Sequence, residues 1–255
     1  MLLSELKDKI VPKIALYGRP ASGKTAFALS WGSQTEVIDC DPVGVGVGLK
    51  LEDRLKPERL QAEIFQAKED NPKLAVAFNK VKSRLYSISE EAVRGTYKRK
   101  VLVLDSLTAL GDYAKRSILA NSGSLEKNAN LTLQQWGLAL NELEQCLTIV
   151  KSLPLAVIVV GHLMVQEMDS VNMAKMWVIG AKLPDQLPAF FNEIWYSDVK
   201  PAAGGAVDYK LQTRLSPSIM ARTQGNLPDG FNMSEGLQKA LATIGYEPAI
   251  GAKNV

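Results

Sequence analysis

Eight residues near the start of the chain, Gly18-Arg19-Pro20-Ala21-Ser22-Gly23-Lys24-Thr25, constrain its fold more than any other stretch. They follow the pattern G-x-x-x-x-G-K-[ST], which cradles a phosphate when a strand precedes it and a helix follows. Both flanks fit. Lys13-Ile14-Ala15-Leu16-Tyr17 is an apolar run that reads as a buried strand, and Thr25-Ala26-Phe27-Ala28-Leu29-Ser30-Trp31 reads as a helix. Small residues let the backbone wrap an anion and aim its N–H groups inward. The new helix presents unpaired N–H groups and a positive dipole end to the same anion. Gly18, Arg19, Pro20, Ala21, Ser22, Gly23, Lys24, Thr25 and Ala26 are therefore the expected nucleotide-binding residues. Lys24 can reach the β- and γ-phosphates of ATP, and the Thr25 hydroxyl can hold Mg²⁺.

The rest of the chain supplies the strands such a loop needs. Val101-Leu102-Val103-Leu104-Asp105-Ser106 is an apolar strand ending in a carboxylate. Ligands bind at that edge of open α/β sheets, so Asp105 is expected to support Mg²⁺, directly or through water. Thr35–Asp39 reads as another buried strand, ending at Cys40-Asp41-Pro42. Leu155–Val160 is a third, ending at Gly161 and His162, the only histidine. Helices are expected over about 72–87, 107–119, 132–152, 186–192 and 234–244, and residues 1–12 can form a short amphipathic helix. Gly44–Gly48 reads as a flexible connection. Residues 163–182 read as a Met-rich loop. Glu193–Val199 and Asp208–Leu215 read as a hairpin, with a further edge strand at Ser218–Arg222. Strands alternating with helices, then a hairpin, imply an α/β fold: a mostly parallel sheet flanked by helices with a C-terminal antiparallel β-hairpin extension.

Composition is compatible with this. Of 255 residues 46% are apolar and 22% charged, enough for one sizeable core. The net charge of +3 permits a nucleic-acid partner without demanding one. No run is long enough to span a bilayer, and the first residues lack a signal-peptide core, so a cytoplasmic protein with no membrane partner is expected. Cys40 and Cys146 have no metal-binding spacing and read as small apolar residues.

The order of these elements resembles the RecA-type ATPase core. The resemblance rests on Val37-Ile38-Asp39-Cys40-Asp41-Pro42, on Leu102–Leu110 with its Walker B aspartate, and on Val159-Val160-Gly161-His162, and it covers about residues 13–225. Leu131–Gly137, Ile194-Trp195-Tyr196 and Ala221–Pro228 are similar, more narrowly, to phage-encoded RecA-core proteins of the single-strand-annealing recombinase group. The resemblance implies one RecA-like P-loop NTPase domain over 1–255, with 1–12 as a segment suited to an oligomer contact and 226–255 as a helical tail. It implies that Asp41, with Asp39 as competitor, orients the attacking water, and that His162 reports the state of the γ-phosphate. It implies a homo-oligomer with ATP between subunits, where Arg222, or Arg214 nearby, reaches the neighbour's phosphates. Two segments, near 121–130 and 163–182, match the places where RecA-like proteins touch single-stranded DNA. Lys115, Arg116, Lys127, Lys175 and Lys182 are then expected to meet phosphates, and Trp177 to stack on a base. The implied function is ATP-dependent annealing or recombination in a bacterial host cytoplasm, with a single-stranded-DNA-binding protein as a further partner. A helicase-associated motor or loader, and a regulatory ATP-binding oligomer without a DNA role, are the alternatives.

Overall fold

The computed structural model describes residues 11–32, 34–41, 63–66, 75–123, 130–168, 170–180 and 182–246. Residues 1–10 of the helix expected over 1–12, the Gly44–Gly48 connection, the start of the helix expected at Pro72, and Lys127 lie outside these residues.

Nine strands are described: β1 (Lys13–Gly18), β2 (Thr35–Asp39), β3 (Glu63–Gln66), β4 (Val101–Asp105), β5 (Ala156–Met168), β6 (Val171–Met176), β7 (Glu193–Pro201), β8 (Val207–Gln212) and β9 (Phe231–Asn232). They form one sheet in the order β3-β2-β4-β5-β1-β7-β8-β9, with β6 paired to β5. Pairing is parallel from β3 across to β7. The β7–β8 and β8–β9 pairs are antiparallel. The mostly parallel sheet, flanked by helices and extended by antiparallel strands at the C-terminal side, is thus the α/β arrangement expected from the sequence.

Parallel strands buried on both faces read as continuous apolar runs, as β1, β4 and β5 do. Successive side chains leave such a strand on opposite faces. Ala15, Tyr17, Leu102, Leu104, Val157 and Val159 point to one core. It is covered by α2 (Ala77–Val93), α3 (Leu107–Asn121) and α4 (Leu133–Ser152). Ile14, Leu16, Val101, Val103, Ile158 and Val160 point to the other, which α1 (Lys24–Leu29) and a late helix (Gly236–Thr243) cover. Phe231, Leu237 and Leu241 lie in that second core, so the segment after 225 packs as part of the fold. Cys40 and Cys146 are both buried as free thiols.

Helix starts follow local capping chemistry. The Ser106 side chain accepts from the Ala109 N–H at the start of α3. Thr132 and Gln135 form a reciprocal capping box ahead of α4, so this part of the Leu131–Gly137 segment has a structural role. A short helix, α5 (Leu183–Gln186), and a 3-10 turn (Leu187–Ala189) stand where one helix is expected.

The Met-rich segment differs most from the sequence expectation. Instead of a loop, β5 runs on past His162 to Met168 and turns back as β6, an antiparallel hairpin. Its rungs Leu163–Met176 and Val165–Ala174 pair apolar side chains across the strands, which the alternating sequence permits. The expected edge strand at Ser218–Arg222 reduces to isolated bridges, Ile219 to Ala174 and Arg222 to Ile194.

Candidate active site

The loop lies at the C-terminal edge of the sheet. Gly18 ends β1, Gly23 takes a left-handed φ of 82° as the N-cap, and Lys24 opens α1. Gly18 is required by close approach. A Cβ there would lie 2.6 Å from the Ser197 carbonyl and 2.9 Å from Ser22 Oγ. Lys24 is 7% exposed and folds back over the loop. Its ammonium donates to the carbonyls of Gly18 (3.2 Å) and Arg19 (2.7 Å) and to Ser22 Oγ (3.4 Å). Burial lowers its pKa to about 8, against the opposing pull of Asp105. These carbonyls give the ammonium a weaker counter-charge than a phosphate would.

Asp105 ends β4, and its Oδ2 accepts a 2.5 Å hydrogen bond from the Thr25 hydroxyl. Two oxygens suited to a hard divalent cation, one from the loop helix and one from the neighbouring strand edge, therefore meet. The donor set fits Mg²⁺. Burial pushes the Asp105 carboxyl up, the Thr25 hydrogen bond draws it down, Asp41 pushes it up, and Lys24 and His162 draw it down, with a net rise. The same influences place Asp41, Lys24 and His162 around it. Asp39 pairs in register with Asp105, and its Oδ1 accepts from the Asp41 N–H at 3.0 Å. Asp39 thus shapes the turn that carries Asp41. The Asp105–Ser106 peptide bond is cis.

β5 lies between β4 and β1, and His162 stands in register with Gly18. The His162 N–H donates to Thr108 Oγ1 (3.1 Å), while its carbonyl accepts from the Trp177 N–H (2.7 Å). The Thr108 hydroxyl in turn donates to the Trp177 carbonyl at 3.1 Å. Tyr17, the residue before Gly18, shares its one hydroxyl hydrogen between the Met220 carbonyl (2.6 Å) and the Ala174 carbonyl on β6 (3.0 Å). The phosphate edge and the β5–β6 hairpin are therefore joined by buried hydrogen bonds.

Several of these partners were not legible in the sequence. Ser197 Oγ donates to the Ser22 carbonyl at 2.5 Å, and a Cβ on Gly23 would approach the Tyr209 ring to 3.1 Å. The β7–β8 hairpin thus walls the loop on one side. These are contacts at a sequence separation of well over a hundred residues, with no local motif to announce them.

Other expected residues fall differently. Lys175 is completely buried, its ammonium paired with Asp185 and bonded to Gln166 Oε1, so it does not present charge to solvent. Trp177 is 40% exposed and Lys182 is exposed. Lys115 is held by Asp112 at 2.5 Å and lies 5.9 Å from the centroid of the Trp136 ring, while Arg116 is exposed. Arg222 is bridged to Ile194 near the start of β7, toward the opposite edge of the sheet from Gly18. Its guanidinium donates to the carbonyls of Pro188 and Phe191 instead of to Asp229, whose Oδ1 accepts from the Thr213 N–H. Arg222 is therefore engaged within its own chain, not displayed toward a neighbour's phosphates. Arg214 is exposed beyond the end of β8.

No curated protein matches the sequence. Among solved structures the chain is similar to a prototypical ATPase from the type III secretion system of pathogenic bacteria, with 12% identity, TM-score 0.47, and coverage of 74% of this chain and 52% of that one. The chain thus spans about half the length of that structure. The family model described as AAA domain matches residues 11–224, from the lead-in to β1 through the last contact of β7. With its phosphate loop, Asp105 and His162 side by side at one sheet edge, the chain belongs to the AAA domain family.

Proposed function

We propose that the chain hydrolyses ATP at this edge and uses the cycle to bind and release single-stranded DNA, promoting annealing or recombination. The observation that carries the proposal is the shared backbone hydrogen bond between His162, beside the phosphate loop, and Trp177, the half-exposed aromatic at the base of the hairpin. A change at the phosphate edge has a short route to a base-stacking group.

Chemically, the loop N–H groups and Lys24 hold the β- and γ-phosphates. Thr25 and Asp105 would hold Mg²⁺, which supplies neutralisation of the charge on the phosphate oxygens. Asp41 orients the attacking water and takes up its proton. His162 responds to the γ-phosphate through its ring, and its main chain passes the change to Thr108 and Trp177.

DNA contact is supported by Trp177 and Lys182, and by a depression of about 310 Å³ lined by Arg116, Trp136 and the Lys115–Asp112 pair, in which Arg116 is the exposed cation. Cations beside an aromatic face suit a strand whose phosphates are neutralised while its bases stack. Lys175 has no part in this surface, and Lys127 remains a candidate. Assembly into a homo-oligomer with ATP between subunits belongs to the same proposal, with the bridging cation supplied by a residue other than Arg222.

The test is binding of a labelled single strand at rising salt. The expected result is a loss of affinity with salt and a further loss on Trp177→Ala or Arg116→Ala. Equal binding by wild type and both variants would overturn the assignment of the DNA surface.

A further inference from the structure

The edge of the sheet opposite the phosphate loop carries a second concentration of positive charge. Lys13, at the start of β1, is only 5% exposed, and its ammonium donates to the carbonyls of Leu153 and Leu155 at 2.7 Å each. Lys151, in the last turn of α4, donates to the Ala189 carbonyl at 2.9 Å. Arg222 donates through one nitrogen to the carbonyls of Pro188 and Phe191, and its buried Nε has no hydrogen-bond partner. All three cations line one depression of about 410 Å³, together with Asn192 and Gln224 and with no carboxylate in its wall.

None of the three forms an ion pair among the described residues. The nearest acid in sequence, Glu193, is 3% exposed and already committed: its oxygens accept from the Trp195 indole at 2.8 Å and from the Gln224 and Gly225 N–H groups at 2.9 and 3.3 Å. Main-chain carbonyls offer partial charges only, so among the described residues three formal positive charges stand around one cavity without a formal negative one. Buried charge without a counter-charge is costly, and burial alone has already lowered the Lys13 pKa to about 8. β1 rises ~3.3 Å per residue, which sets this cavity ~16 Å from Gly18.

We infer that this cavity is a second anion site, separate from the ATP phosphates, which takes a small oxyanion such as a phosphate group. Lys151 and Arg222 flank the anion, Lys13 supplies charge from beneath, and the Gln224 amide adds a donor, while the Asn192 amide, whose Nδ2 donates to the Val11 carbonyl at 3.3 Å, has one further hydrogen to offer. An oxyanion accepts several such hydrogen bonds at once, and each is strengthened by the charge on its donor.

The experiment is a titration of the full chain with inorganic phosphate, with ADP saturating the phosphate loop, followed by the backbone N–H resonances of Asn192, Arg222 and Gln224. Saturable shifts at these three are expected. Lys151 is exposed and can be reversed in charge without repacking, so Lys151→Glu should weaken the site by about tenfold or more with the spectrum otherwise retained. Lys24→Ala should leave these shifts in place. Absence of saturation, or equal affinity in Lys151→Glu, overturns the inference. So does a response to oligonucleotide alone with none to phosphate, which would make this face a nucleic-acid contact instead.

Discussion

Binding of ATP should draw a proton from solvent, and Lys24 sets the size of the effect. Before nucleotide arrives, burial holds its pKa near 8. Bound phosphates replace the Gly18 and Arg19 carbonyls as its partners and restore its charge, so its pKa rises on binding. The sign follows: above pH 8 the free protein carries neutral Lys24, the complex carries the ammonium, and affinity falls as pH rises. A group half-protonated at pH 8 and about one-tenth protonated at pH 9 gives ~0.5 and ~0.9 protons taken up per ATP, and a dissociation constant rising about fivefold between them. The phosphates of ATP are fully ionised over this interval, since their last pKa is about 6, and contribute no slope. Lys13, with the same lowered value, sits at the far edge of the sheet and does not touch the ligand. Calorimetry in two buffers of different ionisation heat reads the proton count directly. A heat independent of buffer at pH 8–9, or the same uptake in a folded Lys24→Met variant, would refute the reasoning.

Further outcomes follow from individual contacts. Gly18→Ala would drive a methyl against the Ser197 carbonyl, so ATP binding should be lost and stability should fall by ~1–3 kcal/mol on thermal denaturation, whereas Gly137→Ala, in open space within α4, should raise stability by ~0.5–1 kcal/mol. Asp41→Asn should keep nucleotide affinity and slow single-turnover hydrolysis; unchanged turnover would move the role to another carboxylate. Trp177→Ala should weaken single-strand binding by ~1–3 kcal/mol, while Lys175→Ala should lower the melting temperature and leave the salt dependence of DNA binding as it is.

What the sequence discloses here is what local chemistry encodes. The glycines and Lys24 specify a phosphate loop because no other residue types meet the backbone and charge requirements together. β4 and the first half of β5 are legible because strands buried on both faces must be apolar throughout; Asp105 closes the first, and His162 is the first polar residue after the apolar run of the second. Lys175 departs from the expectation because that expectation took residues 163–182 as a DNA-contacting loop, whereas Lys175 lies on a strand and its partner Asp185 on another element. The β5–β6 hairpin is masked by its composition: exposed apolar residues such as Val165 and Val171 occur on both faces, so polar and apolar residues mix in a way that also suits a loop. The wall formed by Ser197 and Tyr209, and the position of Arg222, depend on which strand lies beside β1. Pairing of that kind is decided by the whole sheet, and no short stretch records it.

ATP turnover by the purified full chain, measured with Mg²⁺ in the presence and absence of single-stranded DNA, tests the central claim most directly. Expected is hydrolysis that the single strand stimulates, that Lys24→Ala abolishes, and that loses its stimulation, but not its basal rate, in Trp177→Ala. Turnover indifferent to single-stranded DNA in the wild type would contradict the proposed coupling, and turnover that persists in a folded Lys24→Ala protein would contradict the active site itself.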